Sequence, residues 1–172
     1  MTSHVFRTTI AAALVLALAS VGAHAVKPGD RVPSLPPMAN LEEGGPPIDL
    51  GRLRGKVVYV DFWASWCVPC RTSMPTVDEL YRKHGARGFA VVGINKDDRP
   101  VDAQRFLKRV PVSFPLATDA QDNTVRAFLV TAMPSGYLVD RKGVVRKVHR
   151  GYTAETAKQI EGEVEELLKE AP

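Results

Sequence analysis

Cysteine is scarce: there are two among 172 residues, too few for a disulfide scaffold or a four-thiolate zinc site. Charge of one sign is scarce too. Twenty-three basic side chains stand against nineteen acidic ones for a net +4 with no block of like charge, so nothing calls for nucleic acid as a partner. Thirteen Gly and thirteen Pro are too few and too scattered for a fibrous chain. A mean hydropathy of −0.10 argues against both disorder and a multi-span membrane protein. What is left is one ordinary globular domain whose two cysteines, Cys67 and Cys70, stand three apart just after an apolar run.

The first 25 residues contain no Asp or Glu and a single Arg7, followed by an apolar stretch over Ile10–Ala19. That stretch ends at Ala23-His24-Ala25, the small-x-small pattern of a cleaved export signal, and is short for a bilayer span, which needs about 20 apolar residues. An uncleaved anchor or a buried helix is the competing reading. Residues 1–25 are therefore expected to be a signal peptide and Val26–Pro172 the working chain, placed where disulfides persist. No Cys follows the apolar stretch, so lipid anchoring is not expected.

The working chain divides into a Pro-rich N-terminal extension, 26–54, and a core, 55–172. Pro28, Pro33, Pro36, Pro37, Pro46 and Pro47 deny the extension ladder donors and predict irregular or edge structure, with a short hairpin around Gly44-Gly45. Lys56–Ala64 and Phe89–Asn95 read as strands buried on both faces. Cys70, Met74, Val77 and Tyr81 recur at helical spacing up to Gly85, with Pro75 expected to kink the helix. Asp97, Asp98 and Pro100 suggest a helix start, and Ala103, Phe106, Leu107 and Val110 share its inner face. A short strand over 114–118 and a short helix over 123–129 follow. Two strands, 136–140 and 144–149, flank a turn at Asp140–Gly143, and a last helix spans 154–169. There Glu161, Glu163, Glu165 and Glu166 read as a solvated face. The order β-α-β-α-β-α-β-β-α implies an α/β fold with a mixed sheet flanked by helices on both faces.

Chemistry concentrates in Trp66-Cys67-Val68-Pro69-Cys70. At a helix start, unpaired N–H groups and the dipole favour an anion. A thiol of pKa about 8.5 is about 3% thiolate at pH 7, and lowering the pKa to about 7 raises that to about half. Cys67 is thus suited to attack a disulfide, and Cys70, one turn on, to resolve the mixed disulfide. Covalent haem would require His at position 71, which is Arg71, and a peroxide-reducing cysteine would usually follow Thr at position 64, which is Ala64. Zinc would have only His84 and His149 beside carboxylates. An inert pair remains the bland alternative, although so small a loop constrains little of the unfolded chain.

The run Tyr59-Val-Asp-Phe-Trp-Ala-Ser-Trp-Cys-Val-Pro-Cys-Arg71, with Leu53-Arg-Gly-Lys56 ahead of it, resembles the thioredoxin superfamily and its TlpA/ResA-like periplasmic thiol:disulfide oxidoreductases. The resemblance implies a thioredoxin fold, with Cys67 and Cys70 catalytic and no cofactor beyond their redox-active disulfide. It implies a cis-proline at Pro134 facing the cysteines, and a substrate groove formed by Trp66, Val68, Pro69, Met133 and Pro134. Asp61 stands where thioredoxins carry a buried Asp and many TlpA/ResA-like chains carry Asn. A carboxyl in an apolar strand has a raised pKa and could accept the Cys70 proton, or could be a hydrogen-bonded structural group. Trp63 is expected in the core and Trp66 at the rim. The implied function is a periplasmic, monomeric reductase of protein disulfides, fed by a membrane-embedded electron donor and serving cytochrome c maturation or metal-site assembly. An oxidase or isomerase of the same fold, or a non-catalytic binding or holdase module, are the alternatives.

Overall fold

The computed structural model describes residues 25–119 and 121–171, so the leader read over 1–25 lies, apart from Ala25, outside the described residues. Among the described residues no helix is long and apolar enough to cross a membrane. Two strands, β2 (Val57–Trp63) and β3 (Phe89–Asn95), are buried at every position, as β-branched and aromatic runs predict. Around them lie β1 (Ala39–Asn40), β4 (Leu116–Thr118), β5 (Ser135–Val139) and β6 (Val145–Arg150). The sheet order is β1-β4-β3-β2-β5-β6, with β2, β3 and β4 mutually parallel and β5, β6 and β1 antiparallel to their neighbours.

Alternation along β2 separates two cores. Val57, Tyr59 and Trp63 face α1 (Cys70–His84), α2 (Pro100–Leu107) and α4 (Ala154–Lys169), whose inner residues include Met74, Val77, Phe106, Ile160 and Val164. Val58, Val60 and Phe62 face Phe128 of α3 (Asn123–Phe128) and the N-terminal extension. The chain is thus a thioredoxin-like mixed sheet flanked by helices. Pro75 sits inside α1, which continues through it to His84 as one helix.

The Pro-rich extension is a strap across the sheet. At one edge Gly29 N–H donates to the Val145 carbonyl and Val145 N–H to the Asp30 carbonyl, both at 2.8 Å. At the other edge Ala39–Asn40 pairs antiparallel with β4. Between them Val32, Leu35 and Met38 cover the second core, and the expected hairpin around Gly44-Gly45 closes through the Met38–Ile48 bridge. A cavity of about 300 Å³ lies under this strap between Val32, Leu35, Leu50, Val58, Val60 and Val139, on the face away from the cysteines. The two-residue β1 and the helical turn Leu50–Leu53 carry too little periodicity to be read from sequence.

Candidate active site

The cysteine pair forms where β2 turns into α1. Cys67 and Cys70 are joined in a disulfide with Cα atoms 5.4 Å apart. Cys67 lies just ahead of the first helical residue, and the Cys70 N–H points at its sulfur over 3.3 Å. Free N–H groups at a helix start satisfy an acceptor there, so the same geometry stabilises a Cys67 thiolate once the bond is reduced. Cys70 is 0% exposed and Cys67 3%, while Trp66 and Val68 beside them are 64% and 66% exposed. Trp66, Val68 and Pro69 therefore form an open rim around a nearly closed sulfur pair. Across the sheet, the Met133–Pro134 bond is cis and leads into β5, whose Ser135 pairs with Phe62. Pro134 is buried and Met133 packs on the core cluster that contains both cysteines.

On the face of β2 that carries Tyr59 and Trp63, which share a core cluster with both cysteines, Asp61 occupies the centre of the strand, flanked by Gly93 of β3 and Gly136 of β5. Neither glycine has space for a side chain. A Cβ at 93 would fall 3.2 Å from Trp63 Nε1 and 2.6 Å from Leu116, and one at 136 would fall 1.9 Å from Tyr59 Oη. The two rings fold over the glycines and box the carboxyl in. Asp61 is 2% exposed, and its Oδ2 and the Trp63 Nε1 have no hydrogen-bond partner among the described residues. Burial pushes the Asp61 carboxyl up to about 7. Trp63 is core, stacked obliquely on Phe106 with centroids 5.2 Å apart, as expected.

Two expectations need correction. Asp97 does not start a helix: α2 begins at Pro100 with no side-chain cap, its first-turn acid being Asp102. Instead both Asp97 oxygens accept the Ser65 N–H at 3.0 Å, and Oδ1 also accepts the Ser65 hydroxyl at 2.9 Å. Asn95 fixes Asp97 in turn through Nδ2–H to Oδ2 at 2.9 Å. A buried carboxylate needs such donors, and here the backbone donor comes from the segment leading to Cys67. Asp97 thus clasps the turn that presents the cysteines, a role whose only sequence signal was Asn95-x-Asp97 closing a buried strand. The acidic run on α4 is not uniformly solvated either, because Glu163 reaches in to His149 Nε2 at 2.9 Å and Lys147 at 3.3 Å. His149 and His84 are both buried, each with one ring nitrogen that has no hydrogen-bond partner among the described residues, and they lie on different elements rather than in a shared ligand set.

Residues 27–167 match the family model described as Redoxin. The chain belongs to the redoxin family. Within it this redoxin is a TlpA/ResA-like thiol-disulfide oxidoreductase of the thioredoxin superfamily. It is 31% identical over 123 residues to the thiol-disulfide oxidoreductase ResA of Bacillus cereus, covering 72% of this chain and 70% of that one. To ResA of Halalkalibacterium halodurans it is 33% identical over 125 residues, covering 73% and 69%. Among solved structures, this redoxin resembles one from Chlorobium tepidum described as a thiol:disulfide interchange protein DsbE. The TM-score is 0.78 with 36% identity, over 84% of this chain and 99% of the other.

Proposed function

We propose that this redoxin works in the reducing direction on protein disulfides outside the cytoplasm. The observation that carries the reading is the asymmetry of the cysteine pair. Cys70 is sealed, Cys67 meets a rim of exposed apolar side chains, and a raised-pKa carboxyl is buried on the same side of β2 as their core cluster. In the reduced protein, the Cys67 thiolate attacks a substrate disulfide, forming a mixed disulfide and expelling one substrate thiolate. Cys70 then gives its proton to Asp61 and attacks Cys67 Sγ, which re-forms the intramolecular disulfide and releases the second thiolate. Electrons travel on the sulfurs alone, so no cofactor is required. Trp66, Val68, Pro69, Met133 and Pro134 form the groove in which an extended substrate segment aligns along the Met133 backbone.

Pro69 ahead of Cys70 favours reduction over oxidation, in keeping with the reducing members that the sequence resembles. The acid-free leader with its small-x-small end supports export, and a membrane-embedded donor would then supply electrons to a monomer whose clients are in cytochrome c maturation or metal-site assembly. Insulin disulfide reduction tests the core of the proposal. Cys67→Ser is expected to abolish turnover with the fold unchanged, and Cys70→Ser to accumulate mixed disulfides with exported client proteins. Undiminished turnover in folded Cys67→Ser would overturn the reading.

A further inference from the structure

The turn that delivers Cys67 to the start of α1 is held from the neighbouring strand. Trp63 and Asn95 end β2 and β3 and pair across the sheet, and the Lys96 N–H extends that pairing by donating to the Trp63 carbonyl at 3.0 Å. Beyond Trp63 the chain makes one turn, closed by the Cys67 N–H on the Ala64 carbonyl at 3.1 Å. Ser65, inside that turn, gives both its backbone N–H and its hydroxyl to Asp97. Asn95 completes the arrangement, donating from Nδ2 to Asp97 Oδ2 at 2.9 Å and accepting the Asp97 N–H on Oδ1 at 3.1 Å. Asp97 and Asn95 are both buried. The donors to this carboxylate are thus neutral groups of two residues, Ser65 and Asn95. A buried charge held this way pins whatever carries its donors, because releasing them leaves the carboxylate unsatisfied away from water. At the far end of the pinned turn, the Cys67 sulfur faces the Cys70 N–H at 3.3 Å.

We propose that Asp97 is a positioning residue for disulfide exchange: through Ser65 it holds the turn over 64–67 so that the reduced Cys67 sulfur stays against the N–H groups that open α1. The inference rests on the reading above, in which Cys67 is the attacking sulfur. Asp97 itself touches no substrate, and its effect shows in how readily Cys67 ionises. Two consequences of a carboxylate at this place have opposite signs. As a fixed negative charge it would hinder a thiolate nearby, so its removal would make Cys67 easier to ionise. As the anchor of the turn it favours the thiolate, because a helix start lowers a thiol pKa only when its N–H groups are aimed at the sulfur. The anchoring effect is the larger, since such sites take a thiol from about 8.5 to about 7.5 or below. The elements that meet at this turn carry Asp61 on β2, Arg71 in the first turn of α1, Lys96 after β3, and Arg99 with Asp102 at the start of α2. Arg99 and Asp102 pair with each other at 2.8 Å, and all five groups are common to every protein compared below.

Ultraviolet thiolate titration of the reduced full chain tests this, with Cys67 at the rim ionising before the sealed Cys70. Asp97→Ala is expected to raise the Cys67 midpoint by at least about half a pH unit, and the acid limb of kcat/KM for insulin reduction should move up with it. Asp97→Asn, the milder change should the alanine variant fail to fold, sets one amide NH2 against that of Asn95 and should raise the midpoint too. Adding Asn95→Asp to Asp97→Asn reverses the polarity of the link. The amide at 97 then donates to the carboxylate at 95 and still accepts from Ser65, so the double variant should return to within about 0.2 pH units of wild type. Phe62→Ala weakens the opposite core and should leave the midpoint where it is. An unmoved or lowered midpoint in the Asp97 variants overturns the positioning role while leaving the cysteine chemistry standing. So does a double variant that fails to recover, or an equal rise in Phe62→Ala. Undiminished turnover in folded Cys67→Ser would instead remove the attacking sulfur, and this inference with it.

Discussion

On one face of β2, Val58, Val60 and Phe62 meet a layer in which the rings of Phe62, Phe128 and Tyr137 stand 5.3, 5.7 and 4.8 Å apart. The polar atom of that trio, the Tyr137 hydroxyl, donates to the Phe128 carbonyl at 3.3 Å. One residue along, the opposite face carries Tyr59, Asp61 and Trp63, where a carboxylate oxygen and an indole N–H are buried without hydrogen-bond partners among the described residues. On both faces every β2 residue is buried. A buried polar group without a partner costs stability, so the satisfied face holds the fold and the unsatisfied face stores reactivity next to the sulfurs.

This contrast can be broken from either side. Phe62→Ala removes a fully buried ring from the satisfied face and should destabilise the protein by about 3–5 kcal/mol in denaturant unfolding, with turnover per folded molecule retained. If activity fell in step with stability, the division of labour between faces would be lost. Asp61→Asn should do the reverse. The native Asp61 carboxyl titrates near 7 and its unfolded counterpart near 3.8, so the native state holds the proton more tightly. The Asp61 contribution to wild-type stability is then greatest below about pH 4, declines as pH rises towards 7 and levels off above it. The Asn variant lacks that decline. It should match wild type near pH 4 and exceed it by up to about 4 kcal/mol at pH 8, while reducing disulfides more slowly. Equal pH dependence of stability in the two proteins would remove the raised pKa from the account.

The smallest effect on stability is expected at the rim. Trp66→Ala, at an exposed position, should change unfolding free energy by no more than about 0.5 kcal/mol. Its KM for a protein disulfide should nevertheless rise, as a groove residue requires. An unaltered KM would move the substrate surface elsewhere.

Much of this was legible in the chain. Apolar runs announced β2 and β3, helical spacing announced α1 and α4, and Trp66-Cys67-Val68-Pro69-Cys70 announced the site. Asp61 stood out because a carboxylate inside such a run is anomalous. The resemblance rather than any local pattern pointed to Pro134. What stayed hidden depends on register between strands. Nothing local says that Gly93 and Gly136 flank Asp61, or that His149 completes the row. Asp97 reads as a helix start because its partner, Ser65, lies 32 residues earlier. Glu163 reads as solvent-facing because helical periodicity does not reveal that β6 directs a histidine at it.

The strap across the second core bears on the order in which the molecule can be completed. Its first pairing joins residues 29 and 30 to Val145, and Arg31 reaches Lys142 over a separation of 111 residues. A chain that emerges N-terminus first therefore carries the first residues of its strap, 29–32, unpaired until the β5–β6 hairpin has formed. Such long-range closure is slow compared with helix formation. The start of the domain thus waits for a partner near its far end, and until it docks, the part of the β2 apolar face that α3 does not cover lacks the strap residues Val32 and Leu35.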